Sequence, residues 1–281
     1  MRVFTILQTR RSAAVSWVAP QRSTMKVVFL GTGTSVGVPA IGCDCAVCAS
    51  VDPRNKRFRS SMYLEAAGKH VVVDTSPDFR SQVLAFKIPR VDALVFTHSH
   101  ADHILGFDDI RRFNTLQGCI VPAYGSPDTI ADMNRIFDYI HHEHPPGVYR
   151  PRVEFHEVTA PFEIGGGIKV EPLAVPHARK TTYGYRFEAD GRKMGYFPDC
   201  HVLPEETIAR LQGLDVMILD ALRRKPHSTH LSLDESVSAL KRVGAGKSFI
   251  THMGHDFDHD QIQRELPPSM YVSYDGLKLE W

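Results

Sequence analysis

The chain has no apolar run near the ~20 residues that a membrane-crossing helix requires, so no transmembrane helix and no membrane partner are expected. It has no internal repeat and no low-complexity segment, which removes repeat arrays and disordered scaffolds from consideration. Excess charge is missing too: 33 basic against 32 acidic side chains leave a formal +1. Four of the positive charges, Arg2, Arg10, Arg11 and Arg22, sit in residues 1–24, which hold no acid, so the remainder is slightly acidic. Nothing in it offers a nucleic-acid backbone a main binding surface. The dinucleotide fingerprint is also absent. Gly31-Thr32-Gly33-Thr34-Ser35-Val36-Gly37 spaces its glycines one residue too far apart and leads into cysteines rather than a helix. A tight turn that brings backbone close to a site is its expected role. Cysteine is scarce, with five in the chain, three of them within six residues, and no secretory signal ahead of them. An odd, clustered count excludes a disulfide framework and points to metal binding in a reducing compartment. Cys119 and Cys200 read as ordinary buried or semi-buried thiols.

What remains is a globular composition, 43% hydrophobic and 23% charged over 281 residues, enough for one layered α/β domain. Residues 1–24 are rich in Arg and Ser/Thr and read as an extension or an organellar transit peptide. The domain is expected over 25–281, in the cytoplasm, or in a mitochondrion or other organelle if the extension is a targeting peptide. Strand-like runs fall at 26–30, 61–66, 70–74, 91–97, 121–124, 168–173, 182–188, 193–198, 214–220, 247–252 and 270–274. Helical patterns fall near 77–87, 104–113, 127–141, 204–212, 232–243 and 258–265. Each half runs strands first and then strand–helix alternation. Two such halves predict a four-layer αβ/βα sandwich with loops converging on one edge. His141-His142-Glu143-His144-Pro145-Pro146-Gly147 reads as a solvated loop outside that site.

The densest chemistry lies in Thr97-His98-Ser99-His100-Ala101-Asp102-His103, directly after the apolar run 91–96. A buried strand there would deliver His98 and His100 from a rigid edge, with Asp102 and His103 following at a helix start. Imidazole nitrogen and carboxylate oxygen suit Zn²⁺, Mn²⁺ or Fe²⁺, and four such groups this close cannot all serve one ion without strain. Two neighbouring ions, with a carboxylate between them, are the natural reading. The further donors should also end strands, and three residues do: His177 after 170–176, Asp199 after 193–198 and His252 after 248–251. Cys43, Cys45 and Cys48 form a C-x-C-x-x-C set one ligand short of a closed zinc site, and His255 is the candidate for the missing corner.

HSHADH followed in order by His177, Asp199 and His252 resembles the metallo-β-lactamase superfamily over residues 25–281. The resemblance implies that fold, with His98, His100 and His177 on one metal, Asp102, His103 and His252 on the other, and Asp199 as bridge. It makes Asp74, at the end of Val71-Val72-Val73, a support beneath the site. The extra cysteine zinc site, GTGTSVGVP, DPRNKR, HSTHLS and THMGH resemble the PhnP-like cyclic phosphodiesterase subfamily. Two divalent ions, Zn²⁺ or Mn²⁺, and one structural Zn²⁺ are therefore the expected cofactors.

A pair of divalent ions lowers the pKa of a water from ~15.7 towards ~7, so hydroxide attack on a small, ribose-type cyclic phosphodiester is the expected reaction. Asp102 is placed in the catalytic centre, and His230, oriented by Asp220, is the candidate proton donor to the leaving oxygen, with His227 as its alternative. The basic run Arg54, Lys56, Arg57 and Arg59, or Arg223 with Arg224, is a candidate contact for a terminal phosphate, against a solvated face. Two other readings compete: a tRNA 3′-processing endonuclease of the same superfamily, and a non-catalytic metal-stabilised binding protein. A homodimer is compatible with either enzyme reading.

Overall fold

The computed structural model describes residues 24–281; all but the last residue of the 1–24 extension lies outside the described residues. The first half builds β1 (Lys26–Gly31), α1 (Ala46–Ala49), β2 (Ser61–Ala66), β3 (Lys69–Val73), α2 (Phe79–Phe86), β4 (Ala93–Val95), α3 (Ala101–Ile104), α4 (Ile110–Gln117), β5 (Val121–Gly125), α5 (Pro127–Ile136) and β6 (Val153–Glu157). The second builds β7 (Phe162–Ile164), β8 (Ile168–Val175), β9 (Thr182–Ala189), β10 (Arg192–Phe197), α6 (Glu205–Arg210), β11 (Val216–Asp220), α7 (Leu233–Val243), β12 (Lys247–Thr251), α8 (His259–Glu265), β13 (Met270–Val272) and β14 (Lys278–Glu280).

The strands form two seven-stranded sheets, ordered β14-β1-β2-β3-β4-β5-β6 and β13-β12-β11-β10-β9-β8-β7. Both are mixed, antiparallel at the β1–β3 and β7–β10 ends and parallel from β3 to β6 and from β10 to β13. Their facing surfaces share a core that includes Phe29, Leu64 and Val73 from one sheet and Tyr185, Tyr196 and Ile218 from the other. A second cluster packs α2 and α4 on the outside of the first sheet, and a third packs α6, α7 and α8 on the second. The result is the expected four-layer sandwich of helix, sheet, sheet and helix, as apolar faces on both sides of each sheet require.

Among the differences from the sequence reading, two boundaries and three edge strands have a clear local reason. The 91–97 strand pairs only over Ala93–Val95, and beyond it the Thr97 N–H leaves the ladder for the Asp74 carboxylate at 2.8 Å. The helix expected at 104–113 breaks at Gly106, whose N–H leaves the helical ladder for the Thr75 carbonyl at 2.9 Å, in a passage where a Cβ would stand 2.0 Å from the Ser76 carbonyl oxygen. The chain passes too close to Ser76 there for a regular helix to run through. Strands β6, β7 and β14, not expected from the sequence, all lie at sheet edges, where half-exposed residues blur the alternation that reveals a strand.

The two halves are tied beside the site by backbone and buried hydroxyls: Tyr183 N–H donates to the Thr97 carbonyl at 2.9 Å, and Tyr185 Oη–H donates to that of Phe96 at 2.8 Å. A further tie is the Asp275 carboxylate, which accepts from Thr32 N–H at 2.9 Å, Thr32 Oγ1–H at 2.8 Å and Phe58 N–H at 2.6 Å. Burial pushes its carboxyl up to about 7. Between roughly pH 4 and that value the folded chain keeps a proton the unfolded chain has lost. Stability therefore falls as pH rises through this window, by at most about 1.4 kcal/mol per pH unit. In urea unfolding at a series of pH values, Asp275→Asn is expected to flatten that slope relative to the wild type. An identical slope would mean that Asp275 is ionised throughout.

Candidate metal centre

Strands β4, β10 and β12 end on the same edge, and the residues that follow each carry donors; β11 ends there on Asp220. The β4 exit presents His98 and His100, and the first turn of α3 presents Asp102 and His103. Two strand-end residues adopt left-handed backbone, Asp74 at φ 62° and His252 at φ 58°. Asp and His are among the side chains that tolerate this conformation, which is enriched at functional sites.

The donor atoms converge. His98 Nε2 lies 2.8 Å from His100 Nδ1, which lies 3.3 Å from His177 Nε2. Asp102 Oδ2 lies 3.3 Å from His103 Nε2 and 3.6 Å from His252 Nε2. Asp199 stands between these triads, with Oδ2 2.7 Å from His103 Nε2 and Oδ1 3.1 Å from His252 Nε2. His98, His103 and Asp199 also form a set whose ligand atoms lie within 4.8 Å of one another, so Asp199 reaches both triads. All seven residues that the sequence analysis nominated for the dinuclear site are thus brought to one place. Beneath them Asp74 Oδ2 sits 2.8 Å from His103 Nδ1 and accepts from Thr97 Oγ1–H at 2.7 Å, which fixes the ring from behind.

These atoms suit divalent cations better than one another. His103 Nε2, Asp199 Oδ2 and both ring nitrogens of His252 are buried, yet none makes a geometrically acceptable hydrogen bond. Buried polar atoms without partners are costly, and donor atoms 2.7–3.6 Å apart are spaced as the ligands of one ion would be. Burial pulls the His103 imidazole down, but Asp199, Asp102 and Asp74 outweigh it and hold it well above the usual histidine range. Three carboxylates thus favour positive charge at this point, and a divalent cation would take the place of the proton on His103 Nε2. Burial, with His103 next, pulls His98 well below that range, so its nitrogen is left as an acceptor. His98, His100 and His177 could hold one ion, and Asp102, His103 and His252 a second, with Asp199 between.

Beside this cluster His230 Nδ1 lies 2.8 Å from Asp220 Oδ2, and the His230 ring stacks on His252 at 4.8 Å between centroids and 12° between planes. Burial raises the Asp220 carboxyl and lowers the His230 imidazole. His227, the alternative, spends its Nδ1 on the Thr229 N–H at 3.3 Å within its own turn and makes no pair with Asp220. The basic residues considered for a terminal phosphate are occupied structurally. Arg54 pairs with Asp52 and Asp260, Lys56 Nζ donates to the Cys48 carbonyl, and Arg59 pairs with Asp78. Arg57 is 2% exposed and donates to the Phe257 carbonyl. Arg223 donates to the carbonyls of Lys225 and Pro226, and Arg224 pairs with Glu265. In the structure the 54–59 run also has a role in the fold: these residues pin the long loop that precedes β2.

That loop carries the cysteines. The Sγ atoms of Cys43, Cys45 and Cys48 lie 3.2, 3.5 and 3.6 Å from His255 Nδ1. The Cys48 N–H donated to its sulfur lowers Cys45 to about 6, whereas burial raises Cys48 to about 11. One near-thiolate among three sulfurs converging on one imidazole is a set a zinc ion could close. The loop meets the main site through Gly33, which bridges to Met253 beside His252. A Cβ on Gly33 would stand 2.9 Å from the Arg57 carbonyl oxygen, which is why this close passage uses glycine. Cys119 and Cys200 take no part in the sulfur cluster, and the 141–147 segment stays outside the site, with His141 and His144 bonded to Asn134 Oδ1 and the Tyr139 carbonyl.

A family profile described as a β-lactamase superfamily domain matches residues 69–253, and the chain belongs to the metallo-β-lactamase superfamily of metal-dependent hydrolases. Within it the likeness to the PhnP family is supported by a solved structure described as a new diphosphatase from that family. The two are 42% identical with a TM-score of 0.84, covering 92% of this chain and 97% of that one. Zn²⁺-bound PqqB from Methylobacterium extorquens, at 22% identity and TM-score 0.75 over 90% of this chain and 99% of that one, shares the fold. An octanoyltransferase of Porphyromonas gingivalis is 33% identical over 90% of this chain, which spans about half (51%) of that relative's length. Among the described residues no helix is long and apolar enough to cross a membrane.

Proposed function

We propose that the chain is a dinuclear metal-dependent phosphodiesterase acting on a small diester, with a ribose-type cyclic phosphate as the preferred class. The observation that carries this reading is Asp199: one carboxylate within reach of two ligand triads, with a histidine–aspartate pair alongside. Bound there, two divalent ions, Zn²⁺ or Mn²⁺, supply an acidified water and polarise a phosphoryl oxygen. The protein's own groups do the rest. Asp74 holds the His103 ring from behind through Nδ1. Asp220 grips His230 through Nδ1 and leaves Nε2 towards the leaving oxygen; once that nitrogen takes up a proton beside the anionic substrate it would deliver it to the leaving oxygen, a contribution of roughly 10²–10⁴-fold. The diphosphatase description of the PhnP-family structure supports phosphoryl transfer to water as the chemistry. Acyl transfer, named for the Porphyromonas relative, finds no support in a cluster made of imidazoles and carboxylates.

The direct test is hydrolysis of bis(p-nitrophenyl) phosphate and of a panel of nucleoside and ribose cyclic phosphates by Mn²⁺- or Zn²⁺-loaded protein. Turnover that disappears on chelation and returns with the metal is expected. Metal-loaded protein that turns over no diester would overturn the reading, and cleavage of precursor tRNA instead would move it to the RNA-processing branch of the superfamily. The cysteine cluster is assigned a structural Zn²⁺. Cys45→Ser is expected to lose roughly one zinc equivalent and to expose the 40–53 loop to proteolysis, because such a site contributes its binding energy to local folding. Full zinc content in that variant would refute the assignment.

A further inference from the structure

The His177 loop has little packing to hold it. Pro176, Ala178, Arg179 and Lys180 are exposed around the buried His177, and Ala178 is in the left-handed region at φ 46°. Its position rests on polar ties. His177 Nδ1 lies 2.9 Å from the Thr229 carbonyl, and His201 N–H donates to that of Pro176 at 2.8 Å. Two further ties run to α5 of the opposite half. Thr181 Oγ1–H donates to Asp128 at 2.6 Å, and Lys180 Nζ donates to Asp132 Oδ2 at 2.7 Å. The same Asp132 oxygen accepts the Ser99 hydroxyl at 2.5 Å, and Ser99 stands between His98 and His100. Lys180 and then Ser99 keep the Asp132 carboxyl down at about 2, so it stays charged over the working range. A single carboxylate oxygen thus links the turn bearing two imidazoles of the first triad to the loop bearing the third.

We infer that Asp132 is a positioning residue, which sets the spacing between the Ser99 turn and the Lys180 loop so that His98, His100 and His177 face one ion. The inference rests on the metal-site reading above, but not on the identity of the substrate. A partly exposed ion pair of this kind adds little to global stability. Outer partners that orient ligands, by contrast, typically change metal affinity by 10–100-fold. Fold stability and metal affinity should therefore separate.

The experiment titrates Mn²⁺ into chelator-stripped full chain and follows the free ion by electron paramagnetic resonance, alongside the metal-free Tm. Wild type is expected to take up two Mn²⁺. Asp132→Ala is expected to bind one of them roughly 10–100-fold more weakly with an unchanged metal-free Tm. The double variant Ser99→Ala/Lys180→Ala, which cuts both ties at one half-buried and one exposed position, should reproduce that loss and decides the matter if Asp132→Ala fails to fold. Wild-type affinity for both ions in a folded variant would overturn the inference. Wild type that binds two Mn²⁺ but hydrolyses no diester would instead overturn the phosphodiesterase reading and leave this comparison valid.

Discussion

Replacing Asp199 with alanine is expected to lower turnover of a phosphodiester by on the order of 10³-fold or more, and to cut the bound active-site metal by about half. The reason is position. Asp199 is 2% exposed and its two oxygens address His103 and His252, with His230 Nδ1 a further 3.4 Å from Oδ1. Removing it leaves five imidazoles and Asp102 to hold two dications, so mutual repulsion that one carboxylate now offsets goes unscreened in a buried site. A loss of several kcal/mol of transition-state stabilisation corresponds to the stated factor at about 1.36 kcal/mol per decade. The check pairs steady-state kinetics with metal analysis of the same protein. A variant retaining two metals and wild-type kcat would exclude a bridging role for Asp199.

The second large effect concerns the leaving group. His230→Ala is expected to reduce kcat by roughly 10²–10⁴-fold on a diester whose leaving group is an alkoxide, and far less on bis(p-nitrophenyl) phosphate. An alkoxide is a strong base and departs only with a proton or an equivalent charge, whereas p-nitrophenolate leaves unaided. The 2.8 Å contact to Asp220 holds the His230 ring in place, so Asp220→Asn should show the same leaving-group dependence in weaker form. Equal losses on both substrates would mean that His230 supports the metal site, which its stacking on His252 also allows. His227→Ala is the internal control, because its Nδ1 is engaged by Thr229 and not by Asp220.

Some of this was legible in the residues and some was not. His98, His100, Asp102 and His103 could be read directly because they are contiguous, and their chemistry follows from type and spacing alone. His177, Asp199 and His252 were legible one step further, as polar residues closing apolar strands. Their division into two triads came from a family resemblance, and the distances in the structure are consistent with it. The loop arginines were not legible: a cation beside a candidate phosphate site looks the same in sequence whether it meets substrate or a backbone carbonyl. Asp132 left no trace either, since one more acid on the face of an amphipathic helix is what any surface helix shows.

What the sequence determined by itself, then, is short-range: donor types, their placement at strand ends, the cysteine spacing and the alternation that makes two α/β halves. Only the tertiary structure decided which donors from different halves share an ion, which of two histidines Asp220 holds, and which charges are spent inside the fold. The reason is the range of the interactions. Hydrophobic periodicity and ligand spacing are set by residues a few positions apart. A contact such as Asp132 with Lys180, or Cys45 with His255, exists only after sheets and loops separated by tens to hundreds of residues have packed together.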